Sequence, residues 1–206
     1  MAVAVGYVTG DSTHVGVAHQ FAEEDPGLHL LHLAFHHDLR HERLGDAQFA
    51  QYLLLVPHVH QTRLEFLATR CRQVARRLPR IPYGFRMQLD ATFDRAGEYR
   101  VADDRGLTCS TFVIALFRAA EIKLIDEQTW RQREQDIKRH KELLNFLRRR
   151  ADPDWIHRVE ADVETMRVRP EETAGCCLAT ELPVSFLEAM QLGQRVLERL
   201  AAQRPA

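Results

Sequence analysis

The 206-residue sequence predicts an α+β fold, in which a small antiparallel sheet packs against a helix that begins at Cys109, with additional helices toward the C-terminus. Two features of the sequence lead to this prediction. Short apolar segments separated by turn residues fill the chain up to residue 57, which is typical of antiparallel strands. Apolar residues at helical spacing dominate the rest of the chain, and strands followed by helices indicate an α+β domain.

Four strands are predicted in the N-terminal part of the chain, each an apolar or alternating segment that ends at turn residues. They cover residues 3–9, 13–21, 28–36 and 51–56. The Pro26-Gly27 pair separates the second strand from the third and predicts a hairpin that places these two strands side by side. Alternation along the third strand puts His32 and His36 on one face of the sheet and His29 on the other.

Helices are predicted after residue 57 from apolar residues three and four positions apart and from Pro or Gly at the segment ends. They cover residues 58–78, 109–122, 126–150, a short piece that begins at 152–154, and 184–202. We expect residues 1–122 to form the core of the fold. Residues 123–206 are expected to form a helical extension that packs on this core or caps it, within one globular unit.

The composition is that of an ordinary globular chain, with 45% hydrophobic and 28% charged residues and a net charge of −1. Such a charge provides no field that attracts nucleic acid, so we expect no nucleic-acid partner. The N-terminal segment lacks the basic region of a secretory signal, and no segment approaches the ~20 apolar residues of a membrane helix. A cytoplasmic protein without an integral membrane segment is therefore expected; the sequence carries no signal of its oligomeric state.

The segment LTCSTFV at 107–113 places Cys109 at the first turn of a predicted apolar helix. There the unpaired N–H groups and the positive end of the helix dipole lower the pKa of a thiol, and the thiolate is the nucleophilic form. The same N–H groups can hold the oxyanion of a tetrahedral intermediate. A buried thiol that only packs the helix start is the alternative interpretation. Cys176 and Cys177 are a second, weaker candidate nucleophile, since no helix start is evident there.

Histidines are concentrated toward the N-terminus, with nine of the eleven between His14 and His60. A cysteine nucleophile needs a base and a group that orients this base, and His14 on the second predicted strand is the candidate base. His32 lies on the neighbouring strand among apolar residues, where a buried imidazole needs a hydrogen-bonding partner. We expect His32 to accept from one nitrogen of His14, with His29 or His36 as alternatives for this third group. A purely structural His14 is the competing interpretation.

The order of these segments resembles the circularly permuted branch of the NlpC superfamily of papain-like cysteine peptidases and amidases. Residues 13–17 (THVGV) are similar to the family's His-x-Gly strand, and residues 107–113 to its cysteine helix. The loop at 81–84 (IPYG) also resembles one that precedes the family's cysteine. The resemblance covers roughly residues 1–122.

This resemblance implies Cys109 as the nucleophile, His14 as the base and His32 as the orienting group, without a cofactor or a metal. It implies hydrolysis of an amide bond, peptide or isopeptide, through a thioester intermediate. A cytosolic peptide, protein or small-molecule amide fits the chain better than peptidoglycan, because no wall-binding segment is visible. Tyr7 and Tyr83 are candidates for contacts with the oxyanion or the substrate.

Two further functions stay open at this point. An acyltransferase or thioesterase like lecithin retinol acyltransferase has two strand histidines and a later cysteine, a pattern that His14, His32 and Cys109 match. A non-catalytic, histidine-rich metal-binding module is the other alternative, because clustered imidazoles such as those of His36 and His37 can bind zinc or nickel.

Overall fold

The structure is a computed structural model. It describes residues 1–21, 25, 27–46, 52–88, 90–102, 106–148, 152–162 and 165–203. Within these ranges the fold is α+β, as predicted, with a five-stranded antiparallel sheet, a two-stranded sheet and six α-helices.

The five-stranded sheet has the spatial order β4-β3-β2-β1-β5, and all neighbouring strands are antiparallel. The strands are β1 (Ala2–Thr9), β2 (Ser12–Gln20), β3 (Leu28–Phe35), β4 (Asp38–Arg43) and β5 (Leu53–Leu55). The predicted positions of β1, β2, β3 and β5 are confirmed to within two residues. The first residue of the predicted strand 51–56 and Pro26 of the predicted turn lie outside the described residues.

Strand β4 was not predicted, because the segment DLRHER contains a single apolar residue and gives no strand signal. It follows β3 through a two-residue turn, His36-His37, in which His37 has a left-handed φ of 58°. Strand β3 therefore ends at Phe35, one residue earlier than predicted, and His36 belongs to the turn. In the β3–β4 ladder His32 lies opposite Arg40 and Leu30 opposite Glu42, so all four side chains share one face of the sheet.

The helices lie mostly where apolar spacing predicts them. They are α1 (Gln61–Arg77), α2 (Cys109–Ala119), α3 (Glu134–Leu147), α4 (Pro153–Glu160), α5 (Pro170–Gly175) and α6 (Phe186–Ala202). Helix α5 was not predicted. Among the described residues, no helix combines the length and the apolar character that crossing a bilayer requires.

The prediction of one continuous helix over 126–150 is wrong. A 3-10 turn, Glu127–Thr129, is followed by an extended residue, Trp130, and α3 begins at Glu134. The indole of Trp130 is buried and its Nε1 donates to the carbonyl of Arg167 at 2.8 Å. This tertiary contact overrides the helix propensity of the local sequence. Residues 149 and 150 lie outside the described residues.

The main hydrophobic core lies on the face of the sheet that carries Val15 and Val17, and helices α1, α2 and α5 pack against this face. The core includes Phe112 from α2 and Val196 from α6, so it draws on both parts of the predicted division at residue 122. A second, two-stranded sheet of β6 (Thr92–Phe93) and β7 (Tyr99–Arg100), which was not predicted, packs on α2 through β6.

Candidate active site

Cys109 is the first residue of α2, as predicted, and its N-cap is built from two threonines. The Thr111 N–H donates to Thr108 Oγ1 at 3.2 Å, and the Thr108 N–H donates to Thr111 Oγ1 at 2.8 Å, which forms a capping box. This reciprocal pair fixes the backbone on both sides of Cys109. The helix start therefore presents a rigid set of N–H groups beside the thiol.

The segment that leads into Cys109 is held by the loop at 81–84. The Leu107 N–H donates to the Pro82 carbonyl at 2.9 Å, and the Gly84 N–H donates to the Leu107 carbonyl at 3.3 Å. A Cβ atom on Gly106 would overlap the Pro82 carbonyl oxygen, so this close approach requires glycine. The IPYG loop that the sequence singled out thus lies directly beside the cysteine segment.

Both polar backbone groups of Tyr83 are held by side chains from other elements. Its N–H donates to His36 Nδ1 at 3.1 Å, and its carbonyl accepts from Trp155 Nε1 at 2.8 Å. Burial, and after it the negative charge that Cys109 carries when ionised, raise the pKa of the Tyr83 phenol, which therefore lies near the thiol. Tyr7 instead lies across from Thr13 in the β1–β2 ladder and packs against the main core.

The thiol of Cys109 lies beside strand β2 at the peptide that joins His14 to Val15. The expectation that the helix start lowers the pKa of this thiol is wrong: burial raises the pKa, and the backbone N–H of Val15, which acts in the opposite direction, does not offset it. Cys109 has an exposed fraction of 6% and His14 of 8%. Both side chains are thus nearly inaccessible to solvent, and the Cys109 thiol lies near the backbone of the residue that follows His14 in β2.

A network of three side chains runs from His14 toward the outer strand of the sheet. His14 Nε2 lies 2.9 Å from His32 Nδ1, and the two rings are nearly perpendicular, at 85°. His32 Nε2 lies 2.9 Å from Glu42 Oε1. The predicted contact between the two histidines is confirmed. Glu42 was missed, because it lies on the unpredicted strand β4.

The carboxylate of Glu42 fixes the protonation pattern of the network. An ionised carboxylate only accepts, so His32 donates to it from Nε2 and, as a neutral ring, accepts at Nδ1. His14 must then donate from Nε2, which assigns the lone pair of its neutral ring to Nδ1. The nitrogen of His14 nearer to the main chain is thereby the one that can take up a proton.

Burial is the main reason that both histidines of this network are neutral at pH 7. It lowers the pKa of His14 to about 3, with smaller contributions from His32 and from the cation of Arg40. Burial also lowers the pKa of His32, against the opposing effect of Glu42. Desolvation of the charged form explains both directions.

Gly16 allows His32 to approach strand β2 closely enough to contact His14. A Cβ atom at position 16 would lie 2.7 Å from the Cβ of His32 and 2.9 Å from the carbonyl oxygen of Leu31. Both distances are shorter than a van der Waals contact, and one of the two atoms is backbone. The glycine of the His-x-Gly segment is therefore a packing requirement of the His14–His32 contact.

The structure places the other candidate histidines elsewhere. His29 Nε2 bonds to Asp25 Oδ2 at 2.8 Å and its ring stacks on His41, on the face of the sheet away from His32. His36 lies in the β3–β4 turn and accepts from Tyr83. Of the three alternatives for the third group, His32 is the one that contacts His14. In the described part of the chain, no group of three or more His, Cys, Asp or Glu side chains could hold a metal ion.

The other three cysteines are more deeply buried than Cys109. Cys71 is fully buried, and this burial raises the pKa of its thiol to about 12. Cys176 donates from Sγ to the carbonyl of Glu172 at 3.2 Å, and Cys177 follows it in a 3-10 turn. Burial raises the pKa of these two thiols as well. Neither has the helix-start environment that favours a thiolate.

A cavity of about 610 Å³ adjoins the loop that precedes Cys109. Its walls include His36 and His37 of the turn, Tyr83, Gly106, and Trp155 and Arg158 of α4. A space of this size is in the range that small-molecule and peptide sites occupy.

Cys109 at a helix start and His14 with a defined tautomer are of the residue types that nucleophilic cysteine chemistry uses. Comparisons of the chain with protein-family models, with curated proteins and with solved structures found no match. The functional class must therefore be inferred from the chemistry of the residues themselves.

Proposed function

We propose that the protein is a papain-like cysteine hydrolase with the permuted order in which the histidine strand precedes the cysteine helix, and that it cleaves an amide bond. The observation that carries this proposal is the His14–His32–Glu42 network, whose first member directly precedes Val15, the residue whose backbone N–H lies near the Cys109 thiol. The network gives the His14 ring a defined tautomer with the lone pair on Nδ1, which is the form that a general base requires.

In the proposed reaction, His14 Nδ1 takes the proton of the Cys109 thiol as the sulfur attacks the carbonyl carbon of the substrate. The oxyanion that forms is held by N–H groups at the start of α2. The C–N bond then breaks, and the proton on His14 passes to the leaving amine, which leaves an acyl thioester on Cys109. A water molecule that gives its proton to His14 hydrolyses the thioester, releases the acid and returns the proton to the sulfur.

The resting site holds a neutral thiol and a neutral imidazole, since burial raises the pKa of Cys109 and lowers that of His14. Proton transfer therefore accompanies the attack and does not precede substrate binding. His32 and Glu42 stabilise the transient imidazolium of His14, because Glu42 places a negative charge at the far end of the network. The cavity beside Tyr83 and Trp155 would receive part of the substrate.

Acyl transfer to an acceptor other than water, as in the lecithin retinol acyltransferase-like branch, is the second candidate. The His14–His32 hydrogen bond favours this second function, because the group that contacts the candidate base is another histidine. It is neither an amide nor a carboxylate. The thioester on Cys109 is common to both reactions. Peptide amides and long-chain acyl esters offered as separate substrates distinguish the two.

The test is the reaction of the native protein with iodoacetamide, followed by mass spectrometry at each cysteine. We expect Cys109 to be labelled first, and we expect Cys109→Ala, but not the matched Cys71→Ala, to abolish the fast phase. His14→Gln should slow labelling of Cys109 about tenfold or more, a typical contribution of a general base being at least this large. The exposed His157→Gln serves as its control. Faster labelling of Cys71 or Cys176 than of Cys109 would contradict the proposal.

A further inference from the structure

Arg167 differs from the two other arginines of its neighbourhood in having no carboxylate partner. Arg133 Nε bonds to Asp136 at 2.6 Å, and its guanidinium also pairs with Glu172. Arg169 bonds to the other oxygen of Asp136 at 2.7 Å. The two nearby carboxylates are thus engaged by Arg133 and Arg169. Among the described residues, Arg167 makes no ion pair, and its buried Nη1 atom has no hydrogen-bonding partner.

The position of Arg167 is fixed by contacts of its backbone and of its guanidinium plane. Its carbonyl accepts from Trp130 Nε1 at 2.8 Å and from Arg133 Nη2 at 3.2 Å. Its Cζ atom lies 5.1 Å from the centre of the Phe85 ring. A buried donor that is held in place without an acceptor costs free energy, so its retention calls for an explanation.

His140 on α3, which also contacts the Phe85 ring, has buried nitrogen atoms without a partner as well. It has an exposed fraction of 0%, both of its ring nitrogens are buried without a partner, and its ring centre lies 4.1 Å from that of Phe85. Its pKa is lowered to about 4 by burial and then by the charge of Arg167, so it is neutral and can donate one N–H. In the region around Phe85, Arg167 and His140 thus each have a buried nitrogen without a partner.

This region adjoins the candidate nucleophile. The Tyr83 and Phe85 rings are in edge contact, with their centres 5.5 Å apart, and the Tyr83 loop is hydrogen-bonded to the segment that leads into Cys109. Burial lowers the pKa of Arg167, and the phenol of Tyr83 and the thiol of Cys109 act against it. Asp136 has the same raising effect and Arg139 the opposite one. Arg167 is therefore a cation close enough to act on the candidate nucleophile, and the described residues provide it with no ion-pair partner.

We propose that Arg167, with a hydrogen bond from His140, binds a carboxylate on the acyl part of the substrate while Cys109 attacks the neighbouring carbonyl. The inference rests on the proposed function and adds a substrate class to it, namely amides of acids that carry a second, anionic carboxylate. A guanidinium matches a carboxylate with two parallel N–H···O bonds, which a lysine could not reproduce.

Iodoacetate and iodoacetamide test this inference, since they differ in a carboxylate and an amide but alkylate the same sulfur. At Cys109 we measure the ratio of the alkylation rate with iodoacetate to the rate with iodoacetamide. We expect this ratio to be higher in the native protein than in the denatured chain. Arg167→Gln should reduce this preference about tenfold, the equivalent of about 1.4 kcal/mol. The ratio of the two rates is the readout, because loss of the Arg167 charge also raises the pKa of the Cys109 thiol and slows both reagents. Arg158→Gln, in the wall of the neighbouring cavity, tests the rival cation, and the exposed Arg199→Gln in α6 is the matched control.

Two outcomes would overturn the inference: an equal preference in the native and denatured protein, or a preference that Arg158→Gln removes and Arg167→Gln does not. The comparison of native with denatured wild-type protein needs no variant, so it remains valid if Arg167→Gln fails to fold. Protection of Cys109 from iodoacetamide by glutarate, but not by glutaramide, is expected in addition. Labelling by iodoacetamide that depends on His14 tests the proposed function separately, so the two ideas can fail independently.

Discussion

The Nε2 atom of His14 and the Nδ1 atom of His32 lie 2.9 Å apart, on two adjacent strands that belong to opposite sides of a hairpin. Since His32 is itself bonded to Glu42, one carboxylate at the outer strand determines which nitrogen of His14 carries a proton. The basicity of a nearly inaccessible ring is thus controlled by a partly exposed residue, and this residue can be changed without disturbing the core.

Glu42→Gln should lower the reactivity of Cys109 about tenfold, because a neutral amide can either donate or accept and no longer fixes the tautomer of His32. The pH profile of iodoacetamide labelling is the measurement, since a merely structural change would not move it. Glu98→Gln, which removes a surface ion pair with Arg77, is the control. An unchanged profile in Glu42→Gln would show that the carboxylate does not act on His14.

Gly16→Ala should destabilise the protein by about 1–3 kcal/mol, because the added methyl group overlaps His32 and the backbone of Leu31. It should also weaken the His14–His32 hydrogen bond and slow the labelling of Cys109. Urea unfolding measures the first effect and mass spectrometry the second. Gly45→Ala is the matched control, since a Cβ atom there meets no atom within 4 Å. Equal stability of the two variants would contradict the close approach of β3 to Gly16.

Thr108→Ala should cost about 1 kcal/mol, because it removes one half of the capping box of α2. Ser185→Ala removes the N-cap of α6 and should cost a similar amount. The two variants differ in a second readout. Thr108→Ala loosens the N–H groups beside Cys109 and should slow its alkylation, whereas Ser185→Ala should not. If Cys109 were alkylated at the same rate in both variants, the cap of α2 would have no effect on the reactivity of this thiol.

The stability of the protein should decrease as the pH falls below about 6.5. The pKa of His14 is about 3 in the folded protein and 6.5 as its ordinary value, so the unfolded chain binds more protons between these two limits. Stability contributed by the neutral ring is complete above pH 6.5 and is lost progressively toward pH 3. One such histidine contributes a slope of at most about 1.4 kcal/mol per pH unit.

Urea unfolding at pH 7, 6 and 5 measures this dependence. His14→Gln should reduce its slope, and His157→Gln, a change at the surface, should leave it as it is. His140, whose pKa burial lowers to about 4, should contribute in the same direction. A stability that stays constant or rises between pH 7 and 5 would contradict the burial of these rings as neutral groups.

Local patterns account for the parts of the site that the sequence predicts. Alternation places His14 and His32 on neighbouring strands, and an apolar helix start after Thr108 identifies Cys109, because both patterns depend on the periodicity of a single element. The hairpin between β2 and β3 follows from turn residues. These features need no knowledge of distant contacts.

The parts that the sequence does not predict depend on contacts between distant segments. Glu42 lies in a polar stretch that forms a strand only because it pairs with β3, and a glutamate in such a stretch has no distinguishing mark. The interruption of the helix at Trp130 follows from its bond to the carbonyl of Arg167. Arg167 itself is recognisable only by comparison with the paired Arg133 and Arg169. In each case the informative partner lies ten or more residues away, or is a carboxylate that is absent.

The two hydrogen bonds to the backbone of Tyr83 limit how far this protein could be shortened. One joins it to His36 in the β3–β4 turn, and the other joins it to Trp155 in α4. A chain trimmed to residues 1–122 would retain Cys109, His14 and His32 and would lose the indole that fixes the adjoining loop. Shortened versions of the protein should therefore keep the C-terminal helices, even though Cys109, His14, His32 and Glu42 all precede residue 122.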